Sequence, residues 1–350
     1  MLIYIVLLFS FLLLFILISL FLYLIFNKAT DKYFEKKKVK YRKKISPFLN
    51  LYLSNDNIPL NRLFLTKKKW KRDIIIEFLY NKSATTKNEE EMIKISGLCK
   101  SIGLTDELSK RLKSKNWWIV ADATRKVGRL KLTELTPLLL NNLQSSEYDV
   151  WTTSARALGN MGQINYLIKL LIEKESTLER WSLIRIGDIL IQANQGDFDI
   201  IIDHLDNVSA LLKGIFIETL GKRKAVKALP VIEKYLESDN IELRLKALKA
   251  IGEIGITSNE NKILELISSS NWLEAVMAIQ TAQKCSIRQS IPILLTLISN
   301  QNWWVRLRSA EAIYSFGIIG KEKLLWISRF HEDPYAKNMA EKVLLEANLR

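Results

Sequence analysis

The hydrophobic residues of this chain follow two different patterns. From Leu2 to Phe26 they form one run without a charged residue. From about Asn116 onward they recur at helical spacing, in a unit that repeats every 31 residues. The first pattern predicts a helix that is apolar on every face, and the second predicts a repeat protein built from amphipathic helices.

The apolar run is long enough to cross a membrane. Its 25 residues would extend about 37 Å as a helix, and the hydrocarbon layer of a bilayer is about 30 Å thick. Tyr4 and Tyr23 lie near its ends, where amphipathic rings favour the headgroup region. A cleaved signal peptide would need a basic start, a shorter apolar core and a small-residue cleavage site, and this sequence has none of them. A soluble helix would not be apolar on every face. Residues 1–26 are therefore predicted to form a retained transmembrane helix.

Positive charge is concentrated close to this run. The formal net charge is +15, but residues 1–72 contain fifteen basic and three acidic side chains, which leaves a net charge of only +3 for residues 73–350. Because basic residues stay on the cytoplasmic side, this asymmetry predicts a single-pass protein of the cell membrane, with its N-terminus outside and the rest in the cytoplasm. A basic segment tethered beside a bilayer also argues against nucleic-acid binding.

The basic juxtamembrane segment, residues 27–72, contains two lysine-rich runs. Anionic lipid headgroups attract basic residues near a membrane surface by about 1 kcal/mol each. The candidate lipid contacts are Lys36, Lys37, Lys38, Lys43, Lys44, Lys67, Lys68 and Lys69. The alternative interpretation is that these lysines only set the membrane orientation.

The 31-residue period aligns residues that favour helix starts. Six of the eight aligned residues have side chains that accept hydrogen bonds from the free N–H groups of a first helical turn. The column is Asn116, Glu147, Leu178, Ser209, Asn240, Asn271, Asn302 and Asp333. Pro334 follows the last of them, and proline favours the first helical position. Each column member therefore predicts the start of a helix of about fifteen residues.

Two further columns predict the buried face of these helices. Eleven residues after the start column every residue is apolar, and three residues after it every residue except Glu274 is apolar. The eleventh positions are Val127, Leu158, Ile189, Leu220, Ile251, Ala282, Ile313 and Leu344. The third positions are Ile119, Val150, Trp181, Leu212, Leu243, Glu274, Val305 and Ala336.

Glycine and proline predict how each unit continues. Gly128, Gly159, Gly221 and Gly252 are expected to end the first helix, and Pro137, Pro230 and Pro292 to start a second, antiparallel one. The predicted fold is therefore all-α, with one N-terminal transmembrane helix followed by an α-solenoid of about eight antiparallel helix pairs. The solenoid should occupy residues 73–350, with its clearest repeats in residues 116–350, and the helix after Asp333 should cap it.

Three segments resemble a known family. They are "LRLKALKAIGEIG" from Leu243, "VRLRSAEAIYSFG" from Val305 and "VWTTSARALGNMG" from Val150, in which Trp151 replaces an expected arginine. These segments resemble the short HEAT-type repeat of phycobilisome-lyase-like proteins. The resemblance covers residues 116–350 and implies an interaction scaffold; a minority of the family assists bilin attachment to light-harvesting proteins.

Residues that would indicate catalysis or metal binding are sparse. Asp199, Asp203 and His204 are spaced to share one helical face, but a solvated helix surface accounts for them better than a metal site. Cys99 and Cys285 fall in an apolar column and are expected to be core residues, with no disulfide between them. No catalytic residue, cofactor, metal or small-molecule substrate is predicted.

The tripeptide "NWW" occurs twice, six periods apart. Its asparagine is in the start column. Trp117 and Trp303 follow in a column of mostly bulky or apolar residues and are expected to pack against the preceding repeat. Trp118 and Trp304 fall in a mixed column that accepts charge, so they are the candidate protein contacts.

Two functions agree with these features. The first is a non-enzymatic, membrane-anchored cytoplasmic HEAT-repeat scaffold that binds a protein partner along its solenoid surface. The second is an accessory subunit of a protein-modifying enzyme, such as a bilin-lyase-like HEAT protein. The heavy use of Ile, Lys, Asn and Leu suits an AT-rich bacterial genome.

Overall fold

The computed structural model of the protein describes residues 2–54, 68–86, 88–176, 179–193 and 198–348. Within these ranges the chain contains nineteen α-helices and no β-strand. The helices are α1 (Leu2–Ser54), α2 (Lys69–Thr85), α3 (Glu89–Ser101), α4 (Leu104–Leu112), α5 (Trp117–Arg129), α6 (Thr136–Asn142), α7 (Tyr148–Asn160), α8 (Ile164–Glu173), α9 (Arg180–Gln192), α10 (Asp199–His204), α11 (Ala210–Lys222), α12 (Leu229–Lys234), α13 (Ile241–Ile254), α14 (Glu260–Ile267), α15 (Trp272–Lys284), α16 (Ile291–Leu297), α17 (Trp303–Ser315), α18 (Ile318–Phe330) and α19 (Pro334–Asn348).

These helices form two compact units, Met1–Ala157 and Leu158–Arg350. In the second unit the first helices of successive repeats pack side by side, from α9 through α11, α13, α15 and α17 to α19. The second helices α14, α16 and α18 each pack against the first helix that follows them. The fold is therefore an α-solenoid, as the period predicted, and α19 has no second helix after it within the described residues.

The 31-residue period locates the first helices closely. Seven of the eight begin at the residue after the start column, and α9 begins one residue later, at Arg180. Leu178 of the start column lies outside the described residues. Pro137, Pro230 and Pro292 lie in the first turns of α6, α12 and α16, which confirms the prediction for the second helices.

Most capping side chains in the start column act as expected. The side chains of Ser209, Asn240, Asn271, Asn302 and Asp333 accept hydrogen bonds of 2.9–3.3 Å from backbone N–H groups of the helices that they start. Asn116 is an exception, because its side chain makes no capping hydrogen bond. Its backbone N–H instead donates to the Ser114 hydroxyl over 3.2 Å.

Four glycines mark the ends of first helices, as predicted, but they do not cap them. Gly128, Gly159, Gly221 and Gly252 lie in the last turns, one or two residues before the helices end. Three of them allow a close approach to the next first helix: a Cβ atom on Gly128 would lie 2.5 Å from the Ala157 Cα atom. A methyl group would overlap neighbouring backbone at Gly128 and Gly221, and the Ile189 side chain at Gly159.

A left-handed residue lies three positions after each of these four glycines. The φ angles of Lys131, Gly162, Lys224 and Gly255 are 52°, 73°, 52° and 86°. The same position in later repeats is Ser286, at 57°, and Gly317, at 79°. A residue of positive φ therefore follows the first helix in six repeats, although glycine, which tolerates it best, occupies only three of these positions, and Gly317 combines it with a ψ of −142°.

The eleventh column is buried in every repeat, as predicted. In the third column Ile119 is half-buried, and two other positions depart further from expectation. Trp181, the second residue of α9, is exposed, whereas Glu274 is buried and forms an ion pair with the Arg244 guanidinium. Burial favours a higher pKa for Glu274, but hydrogen bonds from Arg244 and Ser269 outweigh it and hold the pKa below its usual value.

The cysteines are free, as predicted. Cys99 is buried in α3, and burial raises its pKa to about 12. Cys285 is partly buried after α15, and burial raises its pKa to about 11. The raised pKa values favour the protonated form of both thiols, which is less reactive than the thiolate.

Candidate lipid and protein contact sites

Helix α1 has two halves of different character. Its large side chains from Leu12 to Phe26 are exposed, and mean hydropathy reaches 2.3 within the stretch Leu12–Ser54. Among the described helices, α1 is the one long and apolar enough to cross a membrane. Further on, Ile45, Leu49 and Leu53 form a buried stripe in the first unit. The unit's core thus begins within the predicted juxtamembrane segment, and no break separates that segment from residues 1–26.

Trp70 joins α1 to the start of α2. Its ring lies edge-on to Tyr41, with the ring centres 5.5 Å apart. The Lys37 and Lys71 ammonium groups lie 6.0 and 5.7 Å from the Trp70 ring centre, at cation–π distance. Arg42 also bonds to Glu77 over 2.6 Å. These contacts bring two lysine-rich runs together that are about thirty residues apart in the chain.

The structure gathers some of the candidate lipid contacts and leaves others apart. Lys38, Lys68 and Lys69 line one cleft of about 800 Å³ beside Trp70, and Lys38 bonds to Glu35 over 2.6 Å. Lys36, Lys43 and Lys44 are exposed on α1. Lys67 lies outside the described residues.

Trp304 is held at a well-defined helix start. Its backbone N–H donates to the Asn302 side chain over 2.9 Å. Arg306 fixes the preceding turn by donating to the Asn300 and Gln301 carbonyls, and its guanidinium lies 5.3 Å from the Tyr335 ring centre. The Trp304 ring, 47% exposed, meets the Trp303 ring edge-on at 4.7 Å. The geometry presents an aromatic surface on a rigid base.

Trp118 occupies the equivalent place in α5, with 59% of its surface exposed. The adjacent Trp117 lines a cleft of about 370 Å³ with residues of α6 and α7, including Asn142 and Val150. In this repeat the helix start depends on backbone hydrogen bonds alone, from the N–H groups of Ile119 and Val120 to the Asn116 carbonyl.

Trp117 and Trp303 are less buried than expected. They are 47% and 40% exposed, and the Trp303 ring contacts Lys342 of α19, at 5.0 Å, in the repeat that follows it. The predicted contrast between the two tryptophan columns is therefore small, because a helix start projects both residues from the edge of the repeat. Other exposed residues at this edge are Tyr148, Trp181, Trp272, Leu273 and Tyr335. All but Trp181 stand in the two columns that follow the start column, so the same alignment identifies them.

The residues considered for metal binding have other contacts. Nδ1 of His204 lies 3.0 Å from the Ile200 carbonyl, and Asp199 lies 3.7 Å from the Lys227 ammonium. The other histidine of the chain, His331, accepts a hydrogen bond from the Asp333 N–H over 3.0 Å. No group of three or more His, Cys, Asp or Glu side chains suited to a metal ion occurs in the part of the chain that the structure describes.

No protein-family model and no curated protein matches this chain. Among solved structures, an engineered protein is 14% identical over 81% of this chain and 92% of its own, with a TM-score of 0.38. Kap121p bound to Nup53p is 12% identical over 79% of this chain and 37% of its own, with a TM-score of 0.48. The CpcE–CpcF complex of phycocyanin lyase from a Nostoc species is 15% identical over 69% and 86%, with a TM-score of 0.29. This chain thus spans less than two fifths of Kap121p, and its solenoid assignment rests on its own helices.

Proposed function

We propose that this chain is a non-enzymatic, membrane-anchored scaffold of short HEAT-type repeats that binds a protein partner on its solenoid. The observation that carries the proposal is the pair of exposed tryptophans at the starts of α5 and α17. Tryptophan is enriched among the residues that dominate binding energy at protein interfaces, and a rigid helix start limits the entropy lost when it is covered.

The proposed anchor is residues 1–26. Exposed apolar side chains over Leu12 to Phe26 have no partner in the first unit, which supports a lipid environment for them. The lysines that follow support an orientation with the solenoid in the cytoplasm and the N-terminus outside. The proposed location is therefore the cell membrane, with a single crossing.

Lipid contact by the basic segment is a second part of the proposal. If α1 stands upright, Lys36 lies about 15 Å and Lys44 about 27 Å beyond Phe26, whereas the headgroup layer is about 5 to 8 Å thick. Contact therefore requires α1 to lean toward the surface, and Lys36, Lys37 and Lys38 reach the headgroups first. Lys68 and Lys69 follow, because they share a cleft with Lys38.

Partner capture by the detergent-solubilised full chain tests the scaffold role. Mass spectrometry of captured proteins is compared between the unaltered chain, a W118A/W304A variant and the matched W117A/W303A variant. We expect a specific partner to be lost at least tenfold more strongly from W118A/W304A, in keeping with about 1.4 kcal/mol or more for a central contact. Equal retention by all three chains would reject these two tryptophans as contacts.

Protease accessibility tests the anchor and its direction. Added protease should degrade the solenoid in inverted membrane vesicles and leave it intact in right-side-out vesicles. Release of the intact chain by alkaline carbonate, which strips peripheral proteins, would reject a transmembrane anchor.

A further inference from the structure

Helix α18 exposes more apolar surface than the other second helices of its unit. Five of its thirteen residues are large, apolar and exposed: Ile318, Ile319, Leu325, Trp326 and Phe330, at 37–79%. The corresponding helices α12, α14 and α16 expose no large apolar side chain in this way. A group of large exposed apolar side chains on one helix requires an explanation.

The apolar residues of α18 form a stripe. Ile319, Trp326 and Phe330 recur at intervals of seven and four residues, which places them along one side of a helix. The Trp326 and Phe330 rings are 6.2 Å apart. On the opposite side, Gly320, Leu324 and Ile327 are buried against the solenoid.

The charges on α18 favour an anionic occupant. Lys321, Lys323 and Arg329 have no carboxylate partner in the described part of the chain, and Glu322 is the one acidic residue of the helix. Several cations elsewhere in this unit are paired with carboxylates, as Lys246 and Lys249 are with Glu218. A second copy of the chain would bring the three unpaired cations of each α18 together, which disfavours self-association on this face.

We propose that α18 is an amphipathic helix that lies on an anionic membrane surface, with Ile319, Trp326 and Phe330 inserted at the level of the headgroups. Aromatic residues on one face with Lys and Arg beside them are the composition that binds a bilayer interface. This contact would be additional to the proposed anchor, and it depends on that anchor. Tethering through α1 raises the local concentration of lipid, so that even a weak surface contact is occupied.

Fluorescence of the full chain in lipid nanodiscs tests this proposal. An I319C variant carries an environment-sensitive fluorophore, and an I256C variant, labelled at an exposed turn of the same unit, is the control. Both variants also carry C99A and C285A, so that the label reacts only at the introduced cysteine. The discs contain phosphatidylcholine alone or with phosphatidylglycerol, and brominated acyl chains serve as quencher.

In discs with phosphatidylglycerol we expect lipid quenching of the label at residue 319 to be about threefold stronger than with phosphatidylcholine alone, and to weaken in high salt. A K321E/K323E variant should remove this difference while its circular dichroism is unchanged, and the label at residue 256 should not respond. A charge reversal that left quenching intact would overturn the role of these lysines.

Two other results would overturn the proposal. The label at residue 319 could remain as solvent-exposed in anionic discs as in detergent. Alternatively, the label at residue 319 could be shielded from solvent already in detergent, where each micelle would then hold two chains. If a W326E variant returned to one chain in each micelle, α18 would be assigned to contact with a second copy of the chain. A chain that fails to enter discs would reject the anchor instead, and the same quenching is then measured with anionic vesicles.

Discussion

Helices α5 and α13 stand at the same place in the repeat, four periods apart, yet their neighbours contact them by different chemistry. Val120 of α5 and Val150 of α7 are buried apolar residues. The equivalent positions of α13 and α15 are Arg244 and Glu274, which form a partly buried ion pair. The period therefore fixes where a helix contacts its neighbour, while each pair of repeats fills that contact in its own way.

The C-terminal ends of α5 and α13 also differ, in which of two positions requires a glycine. Gly128 of α5 touches the backbone of α7, and a lysine, Lys131, takes the left-handed turn. In α13 the nearest atom to a Cβ on Gly252 is Lys284 Cδ at 3.3 Å, and Gly255 takes the turn. The first of these two positions favours glycine where helices pack closely, as at Gly128. The second, three residues later, favours glycine because of its backbone conformation, as at Gly255.

The largest expected effect comes from adding one methyl group at each packed glycine. Gly128→Ala should lower the free energy of unfolding by about 2 to 3 kcal/mol, because its Cβ would overlap the backbone of Ala157. Gly252→Ala should be neutral or raise it by up to about 1 kcal/mol, because a flexible lysine can move and alanine favours the helix. Urea denaturation of the full chain in detergent, followed by circular dichroism, measures both. Equal effects would contradict the packing role of Gly128.

The next largest effect is expected when the Arg244–Glu274 ion pair is replaced by two valines, the residues at the equivalent positions of α5 and α7. Arg244→Val should destabilise by about 2 to 3 kcal/mol, because it leaves the Glu274 carboxylate buried without its cation. The R244V/E274V double variant should regain most of this loss, since apolar residues can replace a buried pair with little penalty. Hydrogen exchange of α13 and α15 peptides reports the change locally.

The pH dependence of the same pair gives a further check. The pKa of Glu274 is below its usual value in the folded chain, so its contribution is present above the unfolded pKa and is lost as pH falls through the folded pKa. Stability below about pH 4 should therefore fall less steeply in R244V/E274V than in the unaltered chain. The same slope in both chains would mean that other carboxylates dominate.

Exchanging the residues of the left-handed turn should have a smaller effect. Lys131→Gly should stabilise by about 1 kcal/mol and Gly255→Ala should destabilise by about 1 kcal/mol, because a Cβ is disfavoured at positive φ. Thermal unfolding of both variants in detergent gives the sign of each change, and a stabilising Gly255→Ala would contradict it.

The smallest expected difference lies at the helix starts. Asn240→Ala should destabilise by about 1 kcal/mol, because it removes the bond accepted from the Glu242 N–H. Asn116→Ala should change stability by less than about 0.5 kcal/mol, since that side chain caps nothing. Exchange rates of the first-turn amides in α13 and α5 distinguish the two.

Sequence alone located the first helices because caps and prolines act locally. A capping asparagine needs only the next three residues, and Pro230 needs only its own ring. The role of Gly128 depends on Ala157, and the burial of Glu274 depends on Arg244, thirty residues away. Such facts follow from the distance between neighbouring helices, which the period does not contain. The exposure of Trp117 and Trp303 was missed for the same reason.

Because α1 is unbroken, the number of residues between its apolar half and its buried stripe fixes the direction in which the first unit faces about the helix axis. Each residue turns a helix by about 100°, so the apolar half before Phe26 and the buried stripe from Ile45 face fixed directions about a common axis. Inserting a single residue between them would rotate the first unit by about 100° about the axis of α1. Inserting seven would restore its heading to within about 20° and lift it about 10 Å.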